Sequence, residues 1–281
     1  HLITQQFPLS DNLLAVTSPK GTALAKGTAV ANSTLSTLNS TLSPLSPQFF
    51  RAPTDNDKSF GNWLAKDWTK HRLDSPRVSK PDANTILYEY ANGSIETNIE
   101  ETPTDDGVEL AYTFTCHGEL PELPRMGIVI QLPKEYQHVS WYGRGPWENY
   151  PDRKESCPIG RYENTVNSLF THYPKPQDNG NHEDCAEVIV RKVSAKGKPA
   201  EGIRITAVDA PFSFSALPYS AQQIASAAHD FELPESDATY LSIDCAVLGL
   251  GNSSCGPGVL KKYSIDKGRK HTLRIRIQTV R

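Results

Sequence analysis

The sequence has no apolar run approaching the roughly 20 residues that a membrane-spanning helix needs, which excludes a helical span. It also lacks an excess of charge of one sign. With 29 basic and 32 acidic side chains mixed along the chain, the formal net charge is −3, and no basic stripe offers a footprint for nucleic acid or an anionic membrane. No Cys-x-x-Cys pair occurs among Cys116, Cys157, Cys185, Cys245 and Cys255. Such an odd, scattered set reads as free buried thiols, neither a disulfide framework nor a zinc site. Gly143-x-Gly145 and Gly249-x-Gly251 lack the third glycine of a dinucleotide loop, and no Gly-x-Ser-x-Gly elbow is present. The chain opens on His1, and its first ten residues lack a charged start followed by an apolar stretch. The expectation is a piece excised from a longer chain, without a signal peptide. Asn-x-Ser/Thr sequons at Asn32, Asn39, Asn92 and Asn252 are motifs short enough to arise by chance. The compartment is left open, leaning cytoplasmic.

Alternation with a period of two, by contrast, recurs throughout. Val108, Leu110, Tyr112, Phe114 and Cys116 share one face, while Glu109, Thr113 and Thr115 share the other. Ile203 and Ile205 alternate with Arg204 and Thr206, and Leu273, Ile275 and Ile277 with Arg274, Arg276 and Gln278. Each run predicts a half-buried strand. Turn signals at Asn92-Gly93, Asp105-Asp106-Gly107 and Asp266-Lys267-Gly268 separate such runs. Eighteen glycines and 21 prolines interrupt the chain too often for long helices, so only residues 62–70 and 221–229 read as helical, for about two turns each. Many closely spaced strands without βαβ alternation predict an all-β antiparallel sandwich or barrel. The Ser/Thr-rich stretch 27–46 carries Leu35, Leu38, Leu42 and Leu45, which suits partial packing better than a linker.

Three polar-aromatic clusters exceed what a sandwich needs merely to fold. They are Arg51-Ala52-Pro53-Thr54-Asp55-Asn56-Asp57; the run from Trp141 through Arg144, Trp147, Glu148, Asn149, Tyr150 and Asp152 to Arg153; and Leu248-Gly249-Leu250-Gly251-Asn252-Ser253-Ser254-Cys255-Gly256-Pro257. Aromatic rings beside Asp, Asn and Arg suit sugars, which present C–H faces and hydroxyl edges. Asp-Asn-Asp and Gly-x-Gly are equally turn chemistry, and Arg–Asp pairs commonly brace loops. Composition leaves both readings open.

The order of these clusters, with Pro176-Gln177-Asp178-Asn179-Gly180-Asn181, Phe214-Ser215-Ala216-Leu217-Pro218-Tyr219 and Ala228-His229-Asp230-Phe231-Glu232-Leu233 between them, resembles the carboxy-terminal domain, or small chain, of glycoside hydrolase family two β-galactosidases. The resemblance spans roughly residues 45–281, with 1–45 matching more loosely, and implies a single domain over 1–281. It implies a large antiparallel β-supersandwich of the galactose-mutarotase-like class. In that family both catalytic glutamates lie on a preceding (β/α)₈ barrel, absent from this sequence. The chain would thus be a non-catalytic part of an enzyme hydrolysing terminal β-D-galactosides such as lactose. It would pack on the barrel and the other domains of an oligomeric enzyme and lend loops to the active-site rim. Two such loops map to residues 58–63, with Lys58 and Ser59, and 252–257, with Asn252, Ser254 and Cys255. Some relatives present a sugar-stacking tryptophan where this sequence has Cys255. No cofactor is expected in this chain; the complete enzymes commonly use Mg2+ and Na+ at sites mainly elsewhere.

The other clusters are expected to be architectural, with Arg144 and Arg153 paired to nearby acids, so that Arg153→Ala would break a buried charge pair. Glu148 and Asp152 are expected to partner those arginines or loop N–H groups. A metal on His182-Glu183-Asp184-Cys185 is not expected, because neighbours on a strand face opposite ways. Two alternatives remain: a stand-alone carbohydrate-binding module with Trp141, Tyr142 and Trp147 as its platform, and a mutarotase-like epimerase using a histidine with a carboxylate.

Overall fold

Two antiparallel sheets, one of five strands and one of nine, share a large apolar core, with a smaller cluster of Ala52, Phe170, Leu217 and Ile224 beside it. The computed structural model describes residues 45–58, 64–194 and 197–281. The stretch 27–44, with Leu35, Leu38 and Leu42, lies outside the described residues, as do 59–63.

In chain order the strands are β1 (Leu45–Gln48), β2 (Arg77–Ser79), β3 (Thr85–Glu89), β4 (Gly93–Thr104), β5 (Gly107–Gly118), β6 (Arg125–Pro133) and β7 (Tyr136–Arg144). There follow β8 (Ile159–Thr165), β9 (His182–Cys185), β10 (Glu187–Val193), β11 (Pro199–Ala207), β12 (Phe212–Leu217), β13 (Ala238–Val247) and β14 (His271–Val280). The smaller sheet runs β1-β6-β13-β12-β9, and the larger β2-β3-β4-β5-β14-β11-β10-β7-β8. Asp105 and Asp106 form the two-residue connection that pairs Thr104 with Gly107, as their turn chemistry predicts. In β5, Val108, Leu110, Tyr112 and Phe114 are buried. β14 pairs Leu110 with Ile275 and Val108 with Ile277, so the two alternations fall on the same face. Complete burial of one such side chain contributes about 1.5–3 kcal/mol.

Helices are short. The longest among the described residues is α2 (Leu64–His71), after α1 (Asp55–Lys58), and α3 (Val166–Leu169) is a single turn. The helix expected over 221–229 is α4 (Ala221–Ser226), opened by a capping box between Ser220 and Gln223. It stops early because Asp230–Glu232 forms a 3₁₀ turn whose Glu232 carboxylate accepts the Ala228 N–H at 2.9 Å.

The smaller sheet buries both faces. Leu241 and Ile243 turn to the core beside Ala216 and Phe214, whereas Ser242 and Asp244 turn outward beside Ser215, Ser213 and Gly127. That outward face is polar yet closed to solvent. Arg125 reaches Ser242 Oγ at 3.3 Å and approaches Asp244 at 3.3 Å, and Arg51, Tyr150 and Asp178 lie near enough to act on its charge. Burial pushes the Asp244 carboxyl up to about 7 despite Arg125.

Candidate functional site

The three sequence clusters converge on one loop, 248–257, which follows β13. Arg51 is fully buried. Its Nε and Nη2 donate to the Asp57 carboxylate at 3.2 and 2.9 Å. Its remaining donors reach Leu248 O at 2.8 Å and Gly249 O at 3.3 Å. Desolvation disfavours the guanidinium charge, but Asp57 outweighs it and holds the pKa above the usual arginine value. Asp57 also closes a capping box: its carboxylate accepts Thr54 N at 2.9 Å, and its own N–H donates to Thr54 Oγ1 at 3.2 Å. The same segment therefore starts α1 and anchors the loop.

From the second cluster, the Asp152 carboxylate accepts Leu250 N at 2.9 Å and Gly251 N at 2.7 Å. Its approach demands glycine at 249, where a Cβ would lie 2.8 Å from Asp152 Cγ. Gly251 adopts a left-handed backbone (φ 64°), which side chains resist. Arg153 donates to Gly251 O and, at 3.1 Å, to Asn252 Oδ1. Asn56 bridges from α1, its Nδ2 donating to Gly251 O and its Oδ1 accepting Ser254 N, both at 2.9 Å. At the tip, Asn252 N donates to Pro257 O at 2.9 Å and Cys255 N to Asn252 O at 3.0 Å. Asn252, Ser254 and Cys255 are exposed, whereas Ser253 is buried with no hydrogen bond to its Oγ among the described residues. Lys58 is exposed at the end of α1, whose Asn56 touches the loop; Ser59 lies outside the described residues. Asp55 exchanges hydrogen bonds with Gln177.

The rest of the second cluster braces backbone. Glu148 accepts Tyr173 OH at 3.1 Å and Gly180 N at 2.7 Å. Asn149 N donates to Asn181 O at 2.7 Å, and its Oδ1 accepts Glu183 N at 2.9 Å. Tyr150 OH donates to Asp178 at 2.9 Å. Arg144 pairs not with a neighbouring acid but with Asp184, at 2.6 Å. Asp184 is held in a left-handed backbone (φ 55°) and is shared with Lys154.

Three expectations need correction. Arg153 does lie 3.9 Å from Asp152, as expected, but the pair is not buried: the Arg153 side chain is 43% exposed, and it also bonds the loop's Gly251 and Asn252. Arg51–Asp57 is a buried pair, as is Arg125–Asp244. Nor do the aromatics form a three-ring platform. Trp141 is buried against Tyr162, His182 and Phe214, its indole N–H donating to Arg144 O at 3.0 Å. Tyr142 and Trp147 are exposed, Tyr142 being turned away by the pleat of β7. Finally, the cysteines are all free, but Cys255 is exposed.

His182 packs into the core while Glu183 turns to the polar face, where its Oε1 accepts Asn181 Nδ2 at 2.8 Å and Ser213 Oγ at 2.7 Å. Burial lowers the His182 pKa to about 4, and burial raises that of Glu183. Among the described residues no three His, Cys, Asp or Glu side chains group closely enough to hold a metal ion. The carboxylates of Asp57, Glu148 and Asp152 each accept at least one backbone N–H, so these three acids fix the path of the loops.

The sequence model of the family described as Beta galactosidase small chain matches residues 22–277. The chain belongs to that family. This small-chain domain is similar to a β-galactosidase of Halalkalibacterium halodurans, with 30% identity over 78% of the chain and 23% of the relative. It is likewise similar to one from Arthrobacter sp. strain B7, with 31% identity over 82% and 26%, and one from Kluyveromyces lactis, with 31% over 77% and 22%. The small-chain domain thus spans about a quarter of the length of the curated relatives it matches. Among solved structures, a galactose mutarotase-like protein from Lactobacillus casei aligns over 73% of each chain at 10% identity with a TM-score of 0.40, too slight a likeness to bear on the fold.

Proposed function

We propose that this small-chain domain is the non-catalytic carboxy-terminal part of a β-galactosidase that hydrolyses terminal β-D-galactosides such as lactose. The observation that carries the reading is the loop 248–257, with a rigid base and a polar, exposed tip. Arg51, Asn56, Asp152 and Arg153 fasten the base, and Asn252 and Ser254 offer at the tip the donors and acceptors that sugar hydroxyls use. In this reading the domain packs on a (β/α)₈ barrel and other domains of an oligomeric enzyme. The tip, with Cys255, then joins Lys58 and Ser59 at the rim of the barrel's site, while any Mg2+ or Na+ of the complete enzyme is held mainly outside this chain.

The test is reconstitution. The purified chain is expected to release no chromogenic aglycone from a β-galactoside, and co-expression with a barrel fragment from the same polypeptide is expected to restore hydrolysis. Turnover by the chain alone that disappears on replacing one of its own carboxylates would overturn the assignment.

A further inference from the structure

A cavity of about 230 Å³ opens where the start of β12, the end of β13 and the start of β14 meet, roofed by residues 262–266. Pro151 lines it, and the next residue, Asp152, holds the loop 248–257. At the roughly 30 Å³ that each water occupies in the liquid, the space is large enough for one monosaccharide.

Its lining carries charge of both signs. Glu183 is nine-tenths buried there. Both of its hydrogen bonds fall on Oε1, from Asn181 and Ser213, leaving Oε2 without a hydrogen bond among the described residues. Oε2 is therefore open to accept a ligand hydroxyl from the cavity. Ser213, Ser264 and Tyr263 add further polar groups to the lining. Two exposed cations, Lys262 and Arg269, also line it. Lys262 lies over the Tyr263 ring at 4.7 Å, and neither it nor Arg269 has an acidic partner among the described residues. Of the remaining charged lining groups, Asp184 is paired with Arg144 and Lys154, Asp266 accepts Gly268 N through one carboxylate oxygen, and His271 Nε2 meets Asp266 O.

We propose that this cavity binds a monosaccharide carrying an acid group, its hydroxyls donating to Glu183 and its carboxylate meeting Arg269 and Lys262. An unsubstituted sugar forgoes contact with the two cations, and a bare anion forgoes contact with Glu183.

The test is isothermal titration of the complete polypeptide with D-galacturonate, D-galactose and inorganic phosphate. Galacturonate is expected to bind at least about tenfold more tightly than either of the others, the span of one charge-assisted contact. Arg269→Ala, a change at an exposed side chain, should leave the melting curve in place and weaken galacturonate to the level of galactose. Glu183→Gln should weaken galacturonate relative to phosphate. Galacturonate binding that Arg269→Ala leaves unchanged, phosphate binding as tight as galacturonate, or no saturable binding of galacturonate would each overturn the proposal.

Discussion

Replacing Arg51 by methionine keeps most of the side-chain volume and removes the charge. Three losses follow. Asp57, wholly buried, loses two of its four hydrogen bonds and its counter-ion. The carbonyls of Leu248 and Gly249 lose their donors. The loop 248–257 loses its attachment to the segment that begins α1. Removing one partner of a buried ion pair costs about 3–5 kcal/mol, and at this chain length each kcal/mol moves the melting temperature by about 2 °C. The expected fall is therefore about 6–10 °C, read by calorimetry at neutral pH. Asp57→Asn should fall by a similar amount, since its amide cannot accept all four donors. Arg153→Ala should cost no more than about 1 kcal/mol, because exposed charges are screened and hydrated. A fall below about 2 °C for Arg51→Met, or a larger one for Arg153→Ala than for Arg51→Met, would refute the reasoning.

Phe214→Ala, which empties a site between Trp141 and His182, should cost about 3–5 kcal/mol, measured by denaturant unfolding. His182 titrates near 4 in the folded chain and near 6.5 unfolded. The unfolded state thus takes up the proton first, and stability should fall by about 3 kcal/mol as the pH drops from about 6.5 to about 4; His182→Phe should flatten that slope, and an unchanged slope would exclude His182 as its source. In the complete enzyme, Cys255→Trp should alter the KM for a galactoside while leaving the melting temperature within about 1 °C, as expected of an exposed tip residue. Asp152→Ala should expose the loop to limited proteolysis between residues 250 and 257, because Leu250 and Gly251 lose the carboxylate that holds their N–H groups.

The strands were legible because alternation is local: Leu110 and Ile275 declare their faces before anything says that they pair. The pattern Val139, Trp141 in β7 also carried the burial of Trp141, which the grouping of aromatics obscured. The polar face of the smaller sheet was not legible. Ser213, Ser215, Ser242 and Asp244 alternate as a wet face would, and only the fold-back of the segments holding Arg51, Tyr150 and Asp178 turns that face into an interior. Likewise, the three clusters could be marked one by one, but Asp152 and Gly249 are 97 positions apart and their contact depends on how the sheets stack. Arg144 shows the same limit, since its partner Asp184 lies forty residues away.

The anchoring of the loop 248–257 divides it into two parts with different freedoms. Residues 248–251 are committed through their backbone, so the bonds of Arg51 and Asp152 do not depend on which side chains the loop carries beyond the required glycines. Residues 252–256 form a tight turn held from outside at two points, Asn252 by Arg153 and the Ser254 N–H by Asn56. A lineage could therefore exchange exposed Cys255 for other chemistry without renegotiating the foundation. The same division makes the tip a place to randomise in directed evolution, with the base left alone.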